Sequence, residues 1–518
     1  MATRSAMVPF PGEDASLEKR SDRMGGLRVA LRDCFNFNST RILWTWFRQR
    51  LPGSSMRRGL RIGGLIALSM LLALDPAGIP AARWIREGDA LWAEGQGLSA
   101  QQTYQAARAL RPMDPAVWHR VARAHTALGE LEEAEAAWRR ALELGDPWAL
   151  RGLAEIATLR GEWEPARARW RDWALRTPAD REAFQRWAEA AMALGDEEDA
   201  RRAWETGARY HPDDRQIRFR WGLLEGIHDP EAARILLILL PSPWKDWADL
   251  LPAPCALHRS CAESSRDQTL RRWGFALLGA RYWGEARLAL DRWVQKHPED
   301  PVAMAALGYA LGRLGLDGTV WLQRASPGSA IPPEVHYFRG LYLLEHGQYH
   351  EAQRQFAAAY QLDPDPLYAL ERGRAAMLAG DLLTAERWLR QALEADRENV
   401  EIWIMLATLY LGHQVWIGKG IEAAREILQR APQRVEGYEW MGWAHYLRGE
   451  WEEAERLLRQ ALRMDPNRPS VRYRLGMVLA TKGQREEARR LLEQTILLDP
   501  RGDFGRRALQ QLLHLQGE

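Results

Sequence analysis

The sequence predicts an all-α solenoid of helix-turn-helix repeats with an apolar helix near its N-terminus. Three observations lead there. A pattern of small residues, alanines and prolines recurs from about Ala81 to Pro500 with a period of about 34 residues, the mark of a repeat array. With 518 residues, 46% of them hydrophobic, the chain exceeds one ordinary core and has ample material for burial. Finally, Ile62 to Leu74 (IGGLIALSMLLAL) is an uncharged apolar run behind Arg57, Arg58 and Arg61.

Residues 1–56 are Arg-rich and contain FNFNSTRILWTWFRQR. They are expected to be a cytoplasmic segment, either disordered or carrying a short amphipathic stretch at a membrane surface. Residues 57–82 read as a transmembrane anchor or a signal peptide. A spanning helix of about 20 residues is reached only by continuing through Asp75 to about Ala82, whereas a secretory segment needs about 7–15 apolar residues behind a basic start. Initiation at Met56 gives the outline of an ordinary signal peptide. Both readings hold the arginines in the cytoplasm and send the remainder across the membrane, so the repeats are expected to be extracytoplasmic. The alternatives are secretion after cleavage, and a cytoplasmic chain in which Asp75-Pro76 ends a buried helix.

The repeat is clearest from Val435 to Pro466. Tyr438, Met441, Gly442 and His445 fall on a first helix, Ala454, Leu458 and Ala461 on a second, and Asp465-Pro466 ends the unit. One period on stand Leu475-Gly476, Ala488, Leu492 and Pro500. Upstream, Gly88, Ala100 and Pro112, then Ala154, Ala166 and Pro178, then Gly340, Ala352 and Pro364 repeat the order. Small residues are needed where two helices cross closely, and proline stops the second helix because it lacks a donor. This spacing resembles the tetratricopeptide-repeat (TPR) family, and the layout is similar to bacterial membrane-anchored or secreted TPR proteins. The resemblance implies a right-handed superhelical solenoid of about twelve units without a cofactor.

Two blocks are expected, 81–235 and 267–500, separated by a Pro-rich interruption at 236–266 and followed by a capping helix at 501–518. Units near Gly222, Pro301 and Trp403 depart from the pattern, and Thr495 replaces the last alanine. Cys255 and Cys261, the only close pair of three cysteines, close a small disulfide loop if the chain is outside the cytoplasm and are inert thiols otherwise. The balance of 71 Lys+Arg against 69 Asp+Glu offers no field for nucleic acid, and none is expected as a partner. No phosphate loop, dinucleotide fingerprint, HExxH, GxSxG or CxxC occurs, so no enzymatic activity is expected.

Register separates packing from recognition among the 25 tryptophans. Trp138, Trp170 and Trp204 share the second-helix position later held by Phe356, Leu389 and Leu458, and are expected in the core. The TPR resemblance implies a concave groove lined by first helices. Carried over, it presents Arg123 and Arg151 early, then Phe275, Tyr309, Tyr337, Leu341, Met377, Trp443, Tyr446 and Tyr473. Such a row either holds a helical or extended peptide or packs on itself inside a tight superhelix. The expected role is a membrane-tethered scaffold for a protein or peptide partner in envelope assembly, secretion or surface-polymer export. The alternatives are a glycan-processing accessory, requiring exposure of several of Trp92, Trp148, Trp321 and Trp443, and a soluble cytoplasmic adaptor.

Overall fold

The computed structural model describes residues 78–251, 260–326 and 331–517. The apolar run at 62–74 and Cys255 lie outside the described residues, as does the Cys261 side chain. Among the described residues no helix is long and apolar enough to cross a membrane.

Among the described residues twelve helical hairpins follow one another, and a last helix, Asp503–Gly517, packs on the final hairpin. Local chemistry sets most boundaries. Asp114, Asp180, Asp214, Asp300 and Asp365 each cap a first helix by accepting a backbone N–H. Pro115, Pro301, Pro366 and Pro469 occupy the first turn, where no intrahelical donor is needed. Between the helices of a hairpin the chain must reverse, and Gly161 does so with φ +73°.

The alanines that open the second helices, from Ala100 and Ala134 to Ala454 and Ala488, are fully buried. Gly340 shows why the facing position must be small: a Cβ there would stand 2.5 Å from the Phe356 ring. Trp138, Trp170 and Trp204 are buried in the expected register, with Phe356, Leu389 and Leu458 beneath the surface in the later units. Trp138 and Trp170 each donate Nε1 to a threonine twelve residues earlier, Thr126 at 3.0 Å and Thr158 at 2.9 Å. In the next unit Met192 holds that position, and Trp204 Nε1 has no hydrogen-bond partner among the described residues.

Three irregular units shape the array. The fifth has a second helix of only 9 residues, Pro230–Ile238, and the seventh one of 6, Thr319–Arg324. In the tenth, Val400–Ala407 widens into a π-helix at Thr408–Gly412. With the fifth hairpin shortened, its neighbours meet: Arg287 donates to the carbonyls of Met192 at 2.7 Å and Ala193 at 2.9 Å. Trp163 Nε1 likewise reaches Leu314 O at 2.9 Å, joining the third and seventh units. Within the stretch at 236–266 the described residues include a 3-10 helix at Trp244–Leu250 and the start of the helix Ser260–Gly279. Trp247 packs edge-on against Trp273 at 5.4 Å and Tyr282 at 5.7 Å. One apolar cluster therefore runs from Ala154 to Tyr342 through Ala248 and Leu251.

Candidate peptide-binding concavity

The early part of the first-helix face is polar and internally paired. Arg123 lies over the Trp92 ring at 4.7 Å. Arg151 is buried and bridges Asp180 at 3.1 Å and Glu182 at 2.7 Å. Arg186 spans Glu182 and Glu189, and Arg220 meets the buried Glu285 at 2.7 Å. Burial pushes the Glu155 carboxyl above its ordinary range, against the opposing pull of Arg151 and Arg186. Carboxylates and guanidiniums at this end balance one another in charge, so they offer a partner little net charge.

The middle of the face is aromatic and packs on itself. Phe338, a neighbour of Tyr337 in sequence, gathers three of the candidate groove residues: Phe275 at 6.2 Å, Tyr309 at 6.1 Å and Tyr337 at 5.4 Å between ring centroids. Tyr337 continues to Tyr368 at 5.6 Å, and Leu341 is half-buried beside it. Burial raises the Tyr309 and Tyr337 phenols, and pushes Tyr368 up to about 12. Met377 is 7% exposed and belongs to the core of the next units. These rings form an internal ladder, and Phe275, Tyr309 and Tyr337 are each half-buried in it.

The last units differ. Trp443 and Tyr446, on the first helix Val435–Leu447, stack at 4.7 Å with 20° between planes. Tyr473, on Pro469–Thr481, meets Phe504 of the closing helix at 5.8 Å. Between them opens a concavity of about 280 Å³, whose floor and walls include Arg474, Met477 and Arg507, with Gln414 from the turn after the π-helix. The volume falls just below the ~300–1,000 Å³ of small-molecule sites, and suits one or two side chains of a peptide.

Arg474 is 6% exposed, lies over Trp440 at 3.8 Å and is ion-paired with the buried Glu439. Arg468 Nε stands 2.8 Å from the other Glu439 oxygen. Burial and the neighbouring Arg468 and Arg507 depress the Arg474 guanidinium, although Glu439 opposes them. His413 is lowered by burial and by Arg507, so it is neutral at physiological pH. Rings of Trp443, Tyr446, Tyr473 and Phe504 therefore surround a floor formed by the Arg474 guanidinium, which Glu439 pairs from below.

Of the ten groove candidates, three come together here, Trp443, Tyr446 and Tyr473. Sequence reasoning missed Arg474, Phe504 and Arg507. Arg507 stands one repeat period after Tyr473, so treating the capping helix as a thirteenth first helix would have found it. Trp92, Trp148 and Trp321 are half-buried and Trp443 is buried, so the exposed tryptophan row of a glycan surface is not formed. Among the described residues no group of His, Cys, Asp and Glu is arranged to hold a metal ion.

A fold of stacked, two-helix units with small residues at their crossings defines the chain as an all-α helical-repeat solenoid, and its repeats are of the tetratricopeptide type. Tetratricopeptide repeat models match residues 85–148, 339–400 and 404–469, and another matches 445–512. Repeats of this type serve as protein–protein interaction scaffolds. Among solved structures, a thermophilic TPR protein of Thermus thermophilus is similar at 20% identity and TM-score 0.32, over 35% of this chain and 99% of that one. Yeast Tom70 is similar at 14% identity and TM-score 0.32, over 84% and 95%. The Cut9-Hcn1 hetero-tetramer of the APC/C is similar at 14% and 0.41, over 85% and 99%. No curated protein sequence matches the chain.

Proposed function

We propose that this chain is a non-enzymatic scaffold that anchors a peptide or helical segment of a protein partner at its C-terminal concavity. The observation that carries the reading is the grouping of Trp443, Tyr446, Tyr473 and Phe504 around the Arg474 floor in a space sized for one or two side chains. Aromatic walls supply buried apolar area at low entropic cost, and arginine supplies directional donors, the combination enriched where binding energy concentrates. The open space beside Tyr446 and Tyr473 favours this end over the rest of the face.

The apolar run at 62–74 behind three arginines supports a tether that places the repeats outside the cytoplasm, in envelope assembly, secretion or polymer export. Two measurements test these readings. Tyr446→Ala with Tyr473→Ala should abolish capture of protein partners by the full chain while helicity is retained; undiminished capture refutes the site. Glu133→Cys, at an exposed position, should react with an impermeant maleimide in intact cells, and labelling only after lysis refutes the topology.

A further inference from the structure

The two ends of the array touch. Ser99 Oγ donates to Glu493 Oε1 at 3.1 Å across 394 residues of chain. Arg489 donates to the same hydroxyl at 3.1 Å, and Gln494 Nε2 to the Glu94 carbonyl at 2.9 Å. Leu497 lies directly on Gly97, where a Cβ would fall 2.4 Å from its Cδ2. Beside these contacts, Leu128 of the second unit joins Leu492, Ile496, Ala508 and Leu512 in one buried cluster. Glu493 is 3% exposed, and Ser99 and Arg489 both engage its Oε1.

This seam differs from the interfaces between successive units, which bury whole helix faces against each other. It consists of Leu497 on Gly97, one small cluster to which Trp92, Leu98, Ala127 and Leu128 contribute from the first units, and side-chain hydrogen bonds that include Arg501 to the Gly129 carbonyl. Segments held by so little open without unfolding the rest. The seam also shares parts with the concavity. The helix Asp503–Gly517 gives Ala508 and Leu512 to the seam, and Phe504 and Arg507 to the concavity wall. Tyr473 packs against the seam cluster and lines the concavity as well.

We infer that the first and last repeats form a releasable latch that closes the array into a ring, and that opening it removes Leu128 from beside the closing helix, which stays packed on the last hairpin but loosens along the concavity wall. Latch state then governs access to the anchor site. Closure itself stands whether or not the concavity holds a peptide.

The test uses the full chain with its native cysteines replaced by serine. Gly97→Cys with Leu497→Cys should form a disulfide under mild oxidation, because the Cβ placed on Gly97 lies 3.0 Å from Leu497 Cγ and a disulfide spans Cβ atoms about 3.5–4.5 Å apart. Gly97→Arg should force the latch open, increasing the maximum dimension in small-angle scattering. If the open form is otherwise a minor state of about 0.1–10%, maleimide labelling of a Met477→Cys reporter should then rise about tenfold or more. Absence of the disulfide overturns the ring. A disulfide with unchanged Met477→Cys labelling in the open variant overturns the coupling. Should Gly97→Arg lose helicity, Arg489→Ala with Gln494→Ala removes seam contacts from half-exposed positions and is judged by the same two readouts.

Discussion

Removing the Glu439 carboxylate should loosen the last two units more than any other single charge deletion at the concavity. Glu439 is 1% exposed and pairs with Arg474, itself 6% exposed between the Trp440 and Trp443 rings. Glu439→Ala leaves that guanidinium buried with no anion, and breaking a buried pair in this way costs about 3–5 kcal/mol. Arg468, 2.8 Å from Glu439 Oε2 but without a hydrogen bond to that atom, is partly solvated and turns outward at little cost. The lower end, about 3 kcal/mol, is therefore expected, equivalent to about 100-fold in an opening equilibrium. Hydrogen exchange over residues 435–498 is the appropriate assay, because a repeat array opens by segments and one global unfolding energy is ill-defined. Exchange there should accelerate about 100-fold while residues 149–210, outside the seam, keep their protection. Replacing both partners, Glu439→Met with Arg474→Leu, should restore most of the protection, since an apolar pair of similar volume needs no counter-charge. Acceleration below about fivefold in Glu439→Ala, or no recovery in the double variant, would refute the argument that Arg474 depends on this carboxylate.

Three further outcomes follow from the packing. Thr158→Val removes the acceptor of the buried Trp170 indole N–H at 2.9 Å, and should cost about 1–3 kcal/mol by denaturant unfolding, whereas Thr158→Ser should cost less. Gly340→Val places a branched side chain where a Cβ already stands 2.5 Å from Phe356, and should destabilise by about 1–3 kcal/mol with a drop in melting temperature. Burial raises the Glu371 carboxyl above its ordinary range despite Arg374, so the folded chain holds that proton more tightly than the unfolded chain. Its stabilising contribution is full below the ordinary carboxylate range and is lost as pH rises through the raised value; urea midpoints across that window should fall less in Glu371→Gln.

The hairpin was legible because its determinants are close in sequence. Alanines at the crossings, tryptophans in one second-helix register and prolines at the unit ends act within a single period, and each appears in the structure where the spacing puts it. The candidate site was legible only in part. First-helix register identified Trp443, Tyr446 and Tyr473, but the same rule selected Met377, which the core absorbs, and Arg151, which Asp180 and Glu182 occupy. Register says which side of a helix a residue takes; it does not say how tightly the superhelix is wound there. Winding decides whether a row of rings, such as Phe275, Tyr309 and Tyr337, faces open space or its own neighbours.

By itself, the sequence determined the repeat, the unit boundaries, the places where hairpins are shortened and which side chains pack between units. These depend on helix capping, proline geometry and close packing over about 34 residues, all carried by local residue types. Tertiary structure alone decided that the fourth and sixth units meet, that the middle rings stack into a ladder and that the last repeat closes on the first. Ser99, Gly97 and Gln494 are ordinary residues with no local signal. Their contacts arise from small rotations summed over twelve units and two shortened hairpins, a quantity that no single repeat encodes.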